Sequence, residues 1–215
     1  MMDSTWLIVF MKAPVAGTTK TRLADGIGTD AALDVYRACV ERLARMWSSL
    51  NMHVAVFVDG NEHAGAVRAW LSLDHVHVQE GADLGARLKQ AIAVAFAHGA
   101  SRTLIIGTDA PLLDDALLYA AERKLHDHDV VIGPAYDGGY YLIGVAEPLF
   151  ELFEGIAWST DRVLTQTLGI AAERGHTCAL LEPLRDIDTA DDLRSVLAAL
   201  PGDHSFLQRV GKHVV

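Results

Sequence analysis

Three basic side chains, Lys12, Lys20 and Arg22, stand on one short segment that also holds Pro14, Gly17, Thr18, Thr19 and Thr21. The segment follows the apolar run Trp6 to Met11 and leads into a helical pattern. A loop between a buried strand and a helix is suited to phosphate. Its free backbone N–H groups and the helix dipole favour an anion. Lys20 and Arg22 add a mobile and a forked donor, and Gly17 lets the backbone approach the ligand. Neither the P-loop nor the dinucleotide glycine spacing is present. The same residues also suit a solvated loop, so the segment needs partners before it counts as a site.

Acidic residues supply candidate partners. Asp109 follows the apolar run Thr103 to Ile106, within Gly107-Thr108-Asp109-Ala110-Pro111. A carboxylate there either holds a divalent cation that bridges nucleotide phosphates or caps a turn before proline. Asp186 and Asp188 flank Ile187. In extended backbone both carboxylates face one way and Ile187 the other. Asp188 or Thr189 is also suited to cap the last helix. Asp109 and Asp188 together make two hard oxygen ligands, leaving phosphates and waters to complete an octahedron around Mg²⁺ or Mn²⁺. Asp137-Gly138-Gly139 reads as a hairpin turn followed by Tyr140 and Tyr141, of which one can line a pocket while the other packs. His75-Val76-His77 and His126-Asp127-His128 lack a third ligand at a metal-site spacing and read as surface or strand histidines.

These loops need a scaffold. Apolar runs at Trp6–Met11, His53–Val58, Val76–Gln79, Thr103–Ile106, Val130–Ile132, Tyr140–Val145 and Thr177–Leu181 alternate with helical patterns. That alternation predicts a mainly parallel sheet with helices on both faces, a three-layer α/β/α sandwich. Asp25-Gly26-Ile27-Gly28 reads as a break, with Thr29 capping a long amphipathic helix and Asp83 capping another. In such sheets ligands sit beyond the carboxyl ends of the strands. Lys12–Arg22, Gly107–Pro111 and Arg185–Asp188 all follow strands and are expected to meet in one crevice. A single domain over 1–215 is expected, with 201–215 a partly ordered tail.

The formal charge of −10 argues against a nucleic-acid surface, so an anionic ligand needs a local basic pocket or a metal. Two cysteines without a CxxC spacing, Cys39 and Cys178, fit a reducing, cytoplasmic setting. The N-terminus carries Asp3 ahead of an apolar run too short for a signal peptide. No run approaches a membrane span.

Six ordered blocks resemble one family. They are Phe10-x-Lys12-x-Pro14-x-x-Gly17-x-x-Lys20-Thr21-Arg22-Leu23, Asp83-Leu84-Gly85-x-Arg87, Gly107-x-Asp109-x-Pro111, Gly133-Pro134-x-x-Asp137-Gly138-Gly139-Tyr140-Tyr141, Trp158-Ser159-Thr160, and Asp186-Ile187-Asp188-Thr189-x-x-Asp192-Leu193. The chain is similar to a bacterial GT-A-type glycosyltransferase family once listed as a domain of unknown function, with members often labelled radical-SAM/selenodomain-associated transferases. It is more distantly similar to phospholactate and molybdenum cofactor guanylyltransferases. The resemblance implies the nucleotide-diphospho-sugar transferase (GT-A) fold. It implies nucleotide and phosphate contacts for Lys12, Pro14, Gly17, Thr18, Lys20, Arg22, Gly81, Asp83 and Arg87. It implies metal ligation by Asp109 and Asp188, and an acceptor side at Gly138, Gly139, Tyr140, Trp158, Ser159 and Thr160.

The expected activity is Mg²⁺-dependent nucleotidyl transfer from a nucleoside triphosphate to a small phosphorylated acceptor, with Lys20, Arg22 and Asp137 as catalytic groups. The alternatives are glycosyl transfer from a nucleotide sugar, with Asp137 as base, and a non-catalytic nucleotide-binding partner protein. A homo-oligomer is compatible with each.

Overall fold

The computed structural model describes residues 4–200 and 202–214. The expectations placed on Asp3 and Pro201 fall outside them. In chain order the elements are β1 (Thr5–Met11), α1 (Thr21–Ile27), α2 (Thr29–Trp47), β2 (His53–Val58), α3 (Ala64–Leu71), β3 (Val76–Val78), α4 (Leu84–Ala97), β4 (Arg102–Ile106), α5 (Asp115–Lys124), β5 (Val130–Pro134), β6 (Tyr140–Val145), α6 (Val163–Arg174), β7 (Cys178–Leu180), α7 (Ala190–Ala199) and α8 (His204–Gly211).

The seven strands form one sheet in the order β3-β2-β1-β4-β6-β5-β7. All neighbours are parallel except β6, which runs antiparallel to both β4 and β5. Every residue of β1 except Phe10 is buried, as expected for a strand covered on both faces. Tyr36, Val40, Leu43 and Trp47 of α2, Val67 of α3, and Leu118 and Ala121 of α5 cover one face. Leu88, Ala91, Ile92 and Ala95 of α4 and Ala171 of α6 cover the other. The three-layer α/β/α sandwich read from the sequence is therefore the architecture.

The second stripe of α2, through Val35, Ala38 and Cys39, packs with Leu193 and Val196 of α7 and with Phe206 and Val210 of α8. The stretch expected as a partly ordered tail thus carries a docked helix. Asp203 accepts from the Phe206 N–H at 3.1 Å, and its other oxygen pairs with Arg42 and Arg45. Arg209 of α8 bonds Asp34 and Glu41 of α2. Two helix starts also differ from expectation. Asp25, Gly26 and Ile27 are helical, and the break narrows to Gly28, which at φ 89 caps α2 in place of Thr29. Asp83 does cap α4, accepting from the Ala86 N–H at 2.8 Å. No helix among the described residues is long and apolar enough to cross a membrane.

The histidines of the β2–β3 edge cluster. The His53 ring centroid lies 4.0 Å from Trp6 and 4.5 Å from His75, and His77 stacks on Phe57 at 4.8 Å. Burial first, and then neighbouring histidines, hold His53 and His77 below their ordinary value of 6.5. The unfolded chain then binds more protons than the folded one, so their contribution to stability is whole above about 6.5 and declines as pH falls below it. Asp186, pushed up to about 7 by burial and by Asp109 and Asp137, works in the opposite direction between its unfolded and folded values. The histidine effect is therefore read as a difference. Between pH 7.5 and 5.5, wild type is expected to lose more melting temperature than a His53→Gln/His77→Gln variant.

Candidate active site

The chain leaves β1 toward β2 and β3 on one side and returns to β4 on the other. This reversal between β1 and β4 is a topological switch point, where open α/β sheets hold ligands. A crevice of about 450 Å³ opens there, lined by Lys12, Thr19, Lys20, Arg22, Tyr36, Asp59, Gln79, Arg87, Thr108, Asp109, Tyr140 and Asp188 among others. Phe10, Leu84, Leu88, Ile105 and Ile143 form its apolar part. One cavity thus offers an apolar wall beside a cluster of cations and carboxylates.

Lys20 ties the loops together. It takes left-handed backbone, φ 55 and ψ 43, just before α1, a conformation that costs a residue with a Cβ roughly 1–2 kcal/mol. Its side chain is only 5% exposed, and its ammonium lies 2.8 Å from Asp109 Oδ1 and 3.2 Å from Asp188 Oδ1. Burial alone would lower the Lys20 pKa, but Asp109 and Asp188 hold it above the ordinary lysine range. Arg22 is mostly exposed and reaches Asp188 Oδ2 at 3.4 Å. The Ile187 N–H donates to the Asp109 carbonyl at 2.9 Å, which locks the two acidic loops side by side. Ile187 is fully buried, and one oxygen of Asp186 is buried with no hydrogen-bond partner among the described residues.

Asp109 and Asp188 are 46% and 40% exposed at the side chain, and both line the crevice. The Lys20 ammonium between them is a stand-in cation, and it demonstrates that two hard oxygens converge on one point. Among the described residues no group of three or more His, Cys, Asp or Glu is placed to hold a metal. The donor set therefore fits a divalent ion only if ligand phosphates and water complete it.

Several supports escaped the sequence reading. The Tyr36 hydroxyl donates to the Lys12 carbonyl at 2.7 Å and accepts from the Lys12 N–H at 3.1 Å. Burial holds its phenol neutral, well above the usual tyrosine range. Asp59 accepts from the Ala13 N–H at 2.6 Å. The Gln79 amide donates to the carbonyls of Met11 and Phe57, pinning the ends of β1 and β2. Tyr36 looked like one more apolar position of α2. The loop residues Asp59 and Gln79 carried no motif.

The predicted residues divide. Lys12, Lys20, Arg22, Arg87, Asp109, Asp188 and Tyr140 line the crevice. Gly17 stands at φ 79 with open space where a Cβ would be, so it supplies the turn rather than a close approach. Thr18 and Thr19 bond the Val15 carbonyl. Pro14 lines a separate cavity. Gly81, at φ 147, lets the Gln79–Asp83 loop fold against α4, where an added Cβ would lie 2.7 Å from the Arg87 nitrogen. Asp137 is exposed and accepts from the Gly139 N–H at 2.9 Å. Trp158 packs into the core beneath α4, Ser159 takes φ 62, and Thr160 donates to the Ala157 carbonyl. None of Asp137, Gly138, Gly139, Trp158, Ser159 and Thr160 is among the residues lining the crevice.

Gly138 joins that turn to the start of α6. It stands at φ 89, its carbonyl accepts from the Leu164 N–H at 2.9 Å, and an added Cβ would lie 2.3 Å from the Asp161 carbonyl oxygen. Gly138→Ala is expected to destabilise the fold by about 2 kcal/mol or more, combining left-handed strain with a backbone clash. Chemical denaturation monitored by tryptophan fluorescence measures it.

The family described as "Uncharacterized protein conserved in bacteria (DUF2064)" matches residues 42–160, more than half of the chain. The chain belongs to this family. No curated protein matches it in sequence. Among solved structures, a similar fold is found in a protein from Desulfovibrio desulfuricans G20, described provisionally as a nucleotide-diphospho-sugar transferase. It is 28% identical, has a TM-score of 0.92, and the match covers 99% of this chain and 97% of that one. Rv0371c from Mycobacterium tuberculosis H37Rv, in complex with manganese, matches at 20% identity and a TM-score of 0.55, over 92% and 100% of the two chains. CMP:2-keto-3-deoxy-manno-octonic acid synthetase, in complex with CTP, matches at 12% identity and a TM-score of 0.54, over 92% and 98%. The fold of this DUF2064 chain is that of the nucleotide-diphospho-sugar transferases.

Proposed function

We propose that this DUF2064 protein is a divalent-metal-dependent transferase acting on a nucleotide, and that its reaction is nucleotidyl transfer to a small phosphorylated acceptor. The observation that carries the reading is Lys20, a buried cation in strained backbone held between Asp109 and Asp188 at the switch point of the sheet. The CTP and manganese complexes of its fold neighbours support the ligand classes. Asp109 and Asp188 would hold the metal. When bound, the ion neutralises phosphate charge and orients the triphosphate.

An acceptor phosphate oxygen forms the new bond to the α-phosphorus, the bond from that phosphorus to the bridging oxygen breaks, and pyrophosphate departs with the electron pair. No proton moves, because the acceptor oxygen is already anionic. Lys20 and Arg22 oppose the charge gathering on the pyrophosphate, and Lys12 and Arg87 extend the cationic lining along the crevice. The half-exposed Leu84 and the apolar wall behind it suit the nucleoside.

Glycosyl transfer from a nucleotide sugar is the second reading, favoured by the description of the Desulfovibrio relative. A hydroxyl acceptor calls for a base, and the candidate Asp137 stands outside the crevice lining, close enough to act on Asp186, with Oδ1 held by its own turn. Assaying pyrophosphate and free nucleoside diphosphate together separates the two. Pyrophosphate released from one nucleoside triphosphate with a phosphorylated acceptor supports nucleotidyl transfer. Nucleoside diphosphate released from a nucleotide sugar supports the second reading.

A further inference from the structure

Behind the Lys12–Lys20 loop lies a second cavity, of about 400 Å³. Its apolar lining includes Pro14, Ala66, Val67 and Trp70, and its polar lining is Arg37, Glu41, His63 and Arg209. Glu41 is fully engaged, accepting from the Trp70 indole N–H at 3.1 Å and from Arg209 at 2.5 Å. Arg209 is shared with Asp34 at 2.8 Å. Arg37 is exposed on α2 and makes no ion pair or hydrogen bond among the described residues. The lining thus leaves one guanidinium uncompensated beside a half-buried indole and a proline ring.

We propose that this cavity binds a small organic anion with a flat apolar body, such as an aromatic carboxylate or sulfonate. Its acid group meets Arg37, whose planar fork suits two oxygens, and its ring lies against Trp70 and Pro14. The site is distinct from the strand-end crevice, and the Lys12–Lys20 loop contributes residues to both. The Val15 carbonyl, beside Pro14, accepts from the Thr18 N–H and from the hydroxyls of Thr18 and Thr19, so an occupant bears on the turn that leads to Lys20. Any effect on ligand affinity in the crevice is reciprocal.

The test is a fluorescence titration of the full chain with anilinonaphthalene sulfonate. Saturable binding is expected. Arg37→Gln, which removes the charge, and Ala66→Leu, which fills the cavity from an exposed helical position, are each expected to weaken it about tenfold. Arg162→Gln, elsewhere on the surface, is expected to leave it unchanged. Circular dichroism checks that each variant folds. Unchanged affinity in both Arg37→Gln and Ala66→Leu overturns the proposal, as does displacement by inorganic triphosphate that raises the apparent dissociation constant of the probe without a plateau, which would put both in one site; coupling between two sites saturates.

Discussion

Lys20→Met is expected to lower turnover by about 10²–10³-fold, the range found when a charge-stabilising donor is removed from a reaction centre. The same substitution is expected to leave the fold nearly as stable. Methionine keeps the volume and the same left-handed backbone, and removing one member of an ion pair is costly chiefly when it leaves the other charge buried. Asp109 and Asp188, each nearly half exposed, stay hydrated when the ammonium goes. The variant carries a second signature. In the nucleotide-free protein the ammonium competes with any divalent ion for the same two carboxylates. Removing it is expected to tighten Mn²⁺ binding, as read by electron paramagnetic resonance. A variant that lost turnover and also lost Mn²⁺ affinity would point to a general collapse of the loop.

Asp109→Asn is expected to act on the metal instead. Turnover is expected to fall by about 10³-fold, and Mg²⁺ is expected to stop enhancing triphosphate binding, because one of two protein oxygens with charge is gone. Asparagine keeps a carbonyl that can accept from Lys20, and Lys20 keeps Asp188, so the stability loss is expected to stay near 1 kcal/mol. Mn²⁺ affinity without nucleotide is expected to weaken, opposite in sign to Lys20→Met. The two substitutions break the same ion pair from its two ends. Comparing them tells whether the pair matters as a structural tie or as two halves of a phosphate and metal site. Equal effects of the two on both turnover and Mn²⁺ binding would favour the structural tie.

The layout of the site was legible in the sequence because it depends on strand ends. Apolar runs such as Trp6–Met11 and Thr103–Ile106 mark buried strands, and in a parallel sheet the loops after them gather at one edge. Lys12, Arg22, Asp109 and Asp188 followed from that rule. The Lys20 ion pairs did not, since they span 168 residues to Asp188 and depend on a left-handed turn at a residue type that rarely adopts one. Tyr36 was hidden for a different reason. Helical spacing marks it as core, which it is, and only the tertiary fold reveals that its hydroxyl meets both backbone groups of Lys12. The start of α2 was misjudged because Thr29 is a better capping residue by type than Gly28, whereas the sharp turn required positive φ. The α8 segment, with its interspersed charges, lies at the end of the chain, where a partly ordered tail is expected. Those charges instead pair with Asp34 and Glu41 of α2, while Phe206 and Val210 supply the buried stripe. Trp158 and Gly138, expected from their motifs to face an acceptor, are seen in packing and in a tight turn.

The most direct test of the central claim, that the crevice between β1 and β4 holds nucleotide phosphates together with a divalent metal on Asp109 and Asp188, is thermal denaturation against a panel of nucleoside triphosphates and nucleotide sugars, each with and without Mg²⁺. A ligand at about a hundred times its dissociation constant stabilises the native state by roughly 2.7 kcal/mol. The account predicts a Mg²⁺-dependent rise in melting temperature with at least one triphosphate, abolished in Asp109→Asn. No shift with any nucleotide, in the presence or absence of Mg²⁺, would contradict it.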